Sequence, residues 1–259
     1  MRLPEHIKRL QTVARPVATA ASDYAAGHTI DWHDHPRAQL VYAERGVISV
    51  STIEGVWITP PERAVWVPAG IRHRVDMSGR VRMHSLYVRP DAATGLFSQC
   101  RVVMVTPLLR ELIRQAVNVP ELYDEKGPDG RLIQVLVDQL VSLDQAPLHL
   151  PMPEDQRLRR VTEAIISNPA DNRSLNAWAR DAGASARTLE RIFRRETAMT
   201  FRAWRQQARL LAALKALAGR QPVTHVALDL GYESPSAFIA MFRRAFGVSP
   251  GRYFNPPTP

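Results

Sequence analysis

A helix-turn-helix pattern occurs twice in the last hundred residues, about 48 positions apart. The first copy reads Ala179-x-x-Ala182-Gly183-x-Ser185-x-x-Thr188-Leu189-x-x-x-Phe193. The second reads Ala227-x-x-Leu230-Gly231-Tyr232-Glu233-Ser234-Pro235-Ser236-Ala237-Phe238-x-x-x-Phe242. Each unit needs a small apolar core, a turn and an exposed second helix. Two of them on one chain can address successive major grooves on one face of double-stranded DNA without a second subunit.

Charge follows the repeat. Residues 1–153 hold 17 Lys+Arg against 16 Asp+Glu, whereas residues 154–259 hold 17 against 9, so a net of +8 out of +9 falls on the repeated segment. Such local basicity is the electrostatic footprint of a phosphate-binding surface. The lone cysteine, Cys100, excludes an intramolecular disulfide framework and fits a reducing compartment. The N-terminus lacks the apolar stretch of a signal peptide, and no run approaches the roughly 18 apolar residues of a membrane span. The expectation is a soluble cytoplasmic protein with no membrane partner.

Local chemistry supports both readers. Ser185 and Ser234 are good N-caps, and Pro235 suits a first helical position, where a missing N–H costs nothing. Phe238, Met241, Phe242 and Ala245 recur at i, i+3, i+4 and i+7, predicting the buried face of the second reader. Leu189, Ile192 and Phe193 do the same in the first. Between them Phe201, Trp204, Ala208, Leu211, Leu214 and Ala218 form an apolar line on a helix of about five turns, which would fix the separation of the readers.

Upstream, from Thr29 to about Pro90, short runs rich in β-branched and aromatic residues alternate with turn signals such as Gly46, Pro60-Pro61 and Ser78-Gly79. They predict a small sandwich or barrel. After Thr106 the period changes: Leu108, Leu109, Leu112, Ile113 and Ala116 mark one helix, and Leu132, Ile133, Leu136, Val137, Leu140 and Val141 another. The second stripe either packs on the barrel or forms a subunit contact, in which case Leu136 and Leu140 would support self-association. The chain thus divides into a sensor barrel over 1–100, a helical segment over 101–146 that is a candidate dimer contact, a proline-marked linker over 147–154 and a DNA-binding domain over 155–259.

Residues 155–256 resemble the DNA-binding domain of the AraC/XylS family of bacterial transcription regulators. The matching positions are Ser185-x-x-Thr188-Leu189-x-Arg191-x-Phe193, Arg209-Leu210-x-x-Ala213, Val226-Ala227-x-x-Leu230-Gly231-Tyr232, Ser236-x-Phe238-x-x-x-Phe242 and Gly247-x-Ser249-Pro250-x-x-Tyr253. One departure is Ala198, where the family usually has glycine. The resemblance implies that Arg187, Glu190 and Arg191 of the first reader, and Pro235, Ser236 and Ala240 of the second, face base edges. Arginine can pair bidentately with guanine, and a glutamate can accept from cytosine N4. Arg194, Arg195, Arg243 and Arg244 are the phosphate candidates, with Ser185, Thr188 and Ser234 at the helix starts. RNA polymerase and a second copy of the chain are further partners that the resemblance suggests.

A second constellation lies in the barrel: Gly27-x5-His33-x-His35-x3-Gln39-x6-Gly46, followed by Pro68-x-Gly70-x-x-His73. Histidines at i and i+2 share one strand face, and a third arriving from another strand completes an imidazole set suited to a divalent transition metal. The spacing resembles the two cupin motifs, whose metal ligands map onto His33, His35 and His73. Gln39 stands where a glutamate is usual. Three readings stand: the histidines hold a metal that helps sense an effector, they line a metal-free effector pocket, or they are structural. His84, on the last predicted strand, could join the pocket.

The whole predicts a multidomain α and β protein, with a small cupin β-barrel followed by helices and a C-terminal all-α domain carrying two helix-turn-helix units. The function expected is transcription regulation gated by a small-molecule or metal effector. A metal-dependent cupin oxygenase or isomerase with a basic appendage is the alternative, and an architectural DNA binder without ligand a third.

Overall fold

The computed structural model describes residues 5–141, 143–146 and 148–254. It falls into two units, residues 1–149 and 150–259. Position 147 of the segment read as a linker and positions 255–259 of the segment read as the DNA-binding domain lie outside the described residues.

Unit 1 begins with a short helix, α1 (Glu5–Leu10), followed by seven strands: β1 (Val17–Tyr24), β2 (Thr29–His33), β3 (Ala38–Ser51), β4 (Gly55–Thr59), β5 (Arg63–Val67), β6 (His73–Val88) and β7 (Arg101–Met104). Helices α2 (Pro107–Ala116) and α3 (Pro128–Val141) come next, then the short strand β8 (Gln145–Ala146); a further short strand, β9 (His149–Pro151), runs across the boundary between the units. The segment read as a linker therefore carries extended structure. The main path of the sheet is β1-β6-β3-β5-β7-β8, with β2 also on β6 and β4 on β3.

Two strands are much longer than the sequence suggested, because two of the turn signals are bends inside strands. β3 passes through Gly46 at φ +82°, next to register shifts at Ala43/Arg45 and Arg45/Val47. A Cβ at Gly46 would stand 2.6 Å from the Arg80 carbonyl oxygen, so only glycine fits there. This bulged bend lets β3 and β6 each serve both ends of the barrel: β6 pairs with β1 over 81–88 and with β2 over 73–76, while β3 follows it throughout.

Alternation then sorts the side chains. Leu40, Tyr42, Leu86 and Val88 pack in one buried cluster with Leu109, Ile113 and Ala116 of α2 and Ile133, Leu136 and Leu140 of α3. Most of the α3 stripe thus covers the barrel: Leu136 and Leu140, both almost wholly buried, are core residues, whereas Val141 of the same stripe is exposed. Leu108, placed on the α2 inner face by periodicity, is exposed. Thr106 caps α2 by accepting from the Leu109 N–H, and Pro107 opens it.

Unit 2 is helical: α4 (Gln156–Ser167), α5 (Leu175–Asp181), α6 (Ala186–Thr197), α7 (Phe201–Ala218), α8 (Val223–Asp229), α9 (Pro235–Phe246) and α10 (Pro250–Phe254). Helices α5 and α6 form the first helix-turn-helix, α8 and α9 the second. The inner faces are those the periodicity marks, with Leu189, Ile192 and Phe193 buried in α6 and Phe238 and Phe242 in α9. Ala245 is the exception and is exposed.

Candidate metal centre and nucleic-acid interface

The barrel histidines meet. His33 ends β2 and is the register partner of His73, which begins β6. His35 follows two residues later in the β2–β3 connection, whose course is pinned by the Gly70 N–H donating to the His35 carbonyl at 2.9 Å. Ring centroids are 4.2 Å apart for His33 and His73, 5.1 Å for His35 and His73, and 6.0 Å for His33 and His35. One ring nitrogen from each lies within 4.8 Å of the others. A single ion with ligands at about 2.1 Å spans at most about 4.2 Å, so binding would draw the widest pair in slightly.

Each ring is held the same way. Nδ1 of His33, His35 and His73 lies 2.7, 2.6 and 2.8 Å from the carbonyl oxygens of Asp31, Arg37 and Ile71. A carbonyl only accepts, so Nδ1 carries the proton and Nε2 is left with its lone pair, the tautomer a metal-binding imidazole needs. His73 Nε2 is buried and has no hydrogen-bond partner. Burial pushes the His73 pKa down to about 3, helped by the neighbouring His33, and lowers His33 and His35 as well. The three rings are neutral near pH 7.

Gln39 completes the group. Its Oε1 is 3.1 Å from His35 Nε2, while its Nε2 donates to Ser85 Oγ at 2.9 Å and Tyr87 Oη at 3.2 Å. The three neutral imidazoles could hold a divalent transition metal, with the Gln39 oxygen beside them. His84 is not among them. It faces the α2 side of the sheet, 3.4 Å from Glu44.

In unit 2, Ser185 caps α6 by accepting from the Thr188 N–H at 3.1 Å, and its hydroxyl also meets that of Thr188 at 2.9 Å. Ser234 caps α9 through the Ala237 N–H at 3.2 Å, and Pro235 opens that helix. Arg187, Arg191, Arg194, Arg195, Ser236, Ala240, Arg243 and Arg244 are all exposed. Glu190 is different. Its Oε1 accepts from Arg194 Nε at 3.2 Å within α6, and its Oε2 accepts from the Phe201 N–H at 3.3 Å at the start of α7.

Comparison with known proteins identifies the two domains. Residues 15–141 match the family described as AraC-like ligand binding domain, and residues 178–255 the family described as Helix-turn-helix domain. The HTH-type transcriptional regulator NimR of Escherichia coli K12 is 36% identical over 221 residues, covering 85% of this chain and 81% of NimR.

The chain belongs to the AraC family.

It is a DNA-binding transcription regulator with a ligand-binding domain. Its relatives are regulators rather than enzymes, which sets aside the oxygenase or isomerase reading. The regulator RipA of Corynebacterium glutamicum is 36% identical over 103 residues, 40% of this chain and 31% of RipA. Among solved structures, ToxT of Vibrio cholerae aligns with 93% of this chain and 98% of its own at a TM-score of 0.40 and 10% identity. No helix among the described residues is long and apolar enough to cross a membrane.

Two buried arginines in this AraC-family chain were given no role by the sequence argument, Arg37 because it was not singled out and Arg209 because it stood only as a matching position. Arg37, 2% exposed, donates to the carbonyls of Gln11, Val13, Arg15 and Tyr87, and its own carbonyl orients His35. Arg209, on α7, donates to the Pro169 carbonyl at 2.8 Å and to Asn172 Oδ1 at 2.7 Å. The same loop packs on the second reader's turn, where a Cβ at Gly231 would sit 2.8 Å from the Ala170 carbonyl oxygen. Gln206 of α7 also donates to Tyr232 Oη at 2.9 Å. The central helix therefore holds the second reader through side chains one turn apart. For Arg209 the available signal was an arginine beside Ala208 on the buried side of α7, where burial demands acceptors.

Proposed function

We propose that this regulator senses its effector at a divalent transition metal held by His33, His35, His73 and Gln39. The supporting observation is the shared fixing of all three Nδ1 atoms by backbone carbonyls, which leaves three Nε2 lone pairs converging, one of them buried and without a partner. A structural histidine would use both nitrogens on the protein, as His35 does through Arg37 and Gln39, whereas the buried Nε2 of His73 has no protein partner. When bound, the ion supplies a positive centre that anchors lone-pair or anionic groups. Because the four protein donors are neutral, the ion's charge is not cancelled, and the site favours an anionic effector.

At the other end, Arg187 and Arg191 read base edges from α6, while Pro235, Ser236 and Ala240 present a small hydroxyl-bearing and apolar surface from α9. Arg194, Arg195, Arg243 and Arg244, with the helix starts at Ser185, Thr188 and Ser234, hold phosphates. The exposed pairs Arg194–Glu190 and Arg195–Glu196 do not prevent this, since such pairs are worth only about 0–1 kcal/mol. The effector acts by binding one conformational state of the chain better than another.

The test is the metal content of tag-free protein purified without chelator, beside a His33→Ala/His73→Ala variant. Near-stoichiometric metal in the parent and none in the variant is expected. A parent that stays metal-free and binds no added divalent ion, with its fold intact, would leave an organic-effector pocket in its place.

A further inference from the structure

A second group of polar side chains lies on the barrel face opposite the histidine cluster. The bulge of β3 turns Glu44 and Arg45 toward β6 and the end of α2. There a cavity of about 520 Å³ is lined by Ala21, Glu44, Arg45, Arg82, His84, Arg114, Val117 and Asn118. The Glu44 carboxylate shows what this place grips. Its Oε1 is 2.8 Å from Arg114, and its Oε2 is 3.3 Å from Arg82 and 3.4 Å from His84 Nε2.

The cationic groups outnumber what Glu44 can serve. Arg82 is also 3.9 Å from the exposed Asp23, and Arg114 is 3.0 Å from Glu111, but neither acid lines the cavity. Arg45, the register partner of Arg82, is exposed and makes no ion pair among the described residues. Beneath them the His84 side chain is only 3% exposed, and neither ring nitrogen makes a hydrogen bond. Leaving such groups unsatisfied costs free energy, and a cavity of this size suits a metabolite-sized ligand.

We propose that this cavity binds a small oxyanion-bearing molecule, a carboxylate or a phosphate, between Arg45 and Arg82, beside the end of α2. The site is separate from the histidine cluster and does not depend on a metal there. Since α2 packs on α3 and the barrel, a ligand at this end touches the helical layer over the sensor.

The experiment uses the full chain at fixed ionic strength in chloride, titrated separately with succinate and with inorganic phosphate. The readout is the His84 imidazole nitrogen resonance. A saturable shift with either probe is expected, and which probe gives it tells carboxylate from phosphate chemistry. Arg45→Ala should weaken binding on the order of tenfold, in line with loss of a charge-assisted hydrogen bond, and Arg45→Lys should recover part. Arg45 is exposed and unpaired, so the variant should melt like the parent in chloride. The His33→Ala/His73→Ala variant should keep the response. No shift beyond chloride with either probe, or an unchanged affinity in Arg45→Ala, overturns the site.

Discussion

His35 Nε2 and Gln39 Oε1 face each other at 3.1 Å, and each presents a lone pair. His35 uses its one proton on the Arg37 carbonyl, and Gln39 uses its amide hydrogens on Ser85 and Tyr87. Two acceptors at this distance need either a proton or a cation between them, and burial works against an imidazolium. Turning the Gln39 amide over would instead donate to His35 and accept from the two hydroxyls. That is the arrangement a metal-free pocket would use.

Gln39→Glu separates these states. For each unit of charge on the ion, a carboxylate adds a Coulomb attraction of about 4 kcal/mol at 4 Å in an effective dielectric of 20, before desolvation is subtracted. Divalent-metal affinity should rise by roughly tenfold or more, a gain of about 1.4 kcal/mol. Competition against a chelator of known affinity measures it. Equal or weaker binding in Gln39→Glu would mean that residue 39 does not face the ion.

Acid should destabilise unit 1. Burial lowers His73 to about 3 and His149, stacked on Trp57 with ring centroids 4.4 Å apart, to about 4. In the unfolded chain both titrate near the usual 6.5, so between 6.5 and these values the unfolded state binds more protons. Stability is then fully present above about pH 6.5 and falls as pH drops toward 4, by up to about 1.4 kcal/mol per pH unit for each histidine. Urea unfolding followed through unit 1 tryptophans should show this slope, and His149→Phe should flatten it. A midpoint constant between pH 6.5 and 4.5 would contradict the assignment.

Much of this was legible in local chemistry, and the failures share a cause. Ser185, Ser234, Pro235 and the apolar faces of α6 and α9 are set by neighbours within a turn, so sequence reveals them. The histidine set was visible because motif spacing encodes a meeting of two strands. What escaped depends on distant partners. Glu190 is engaged by the Phe201 N–H eleven residues on. The direction of the α3 stripe is decided by the outer face of β3 and β6. Gly46 and Gly79 look like turn residues but sit within long strands, at φ +82° and +72°. β1 was missed because Val17–Tyr24, with small or polar residues at all but its two ends, lacks a strong alternating pattern.

The two readers should differ in how they respond to substitution. Arg191→Ala, on the exposed side of α6, should reduce operator discrimination more than affinity for random DNA, by about 1–3 kcal/mol at one base position. Arg243→Ala, on α9, should weaken both alike and lower the salt slope of binding by about one. Fluorescence anisotropy across a salt series on operator and scrambled duplexes distinguishes them. Equal losses on both duplexes for Arg191→Ala would move that residue to the phosphate group.

Ala198 closes α6 in the left-handed region, at φ 57° and ψ 13°, where its N–H donates to the Arg194 carbonyl. The second reader does the same with Gly247 at φ 77°. An L-residue with a Cβ pays about 1–2 kcal/mol for this conformation, whereas glycine adopts it freely but loses more entropy on folding. The side chain of Ala198 is exposed, so little packing is lost on its removal. Ala198→Gly should therefore stabilise unit 2 by about 0.5–1 kcal/mol, which for a domain of about 100 residues raises the melting temperature by a few degrees. Operator affinity should stay the same, because the turn geometry is already the one glycine prefers. Thermal unfolding of the full chain with and without the substitution reads the difference, and an unchanged or lower transition for unit 2 would show that the alanine carries no strain there.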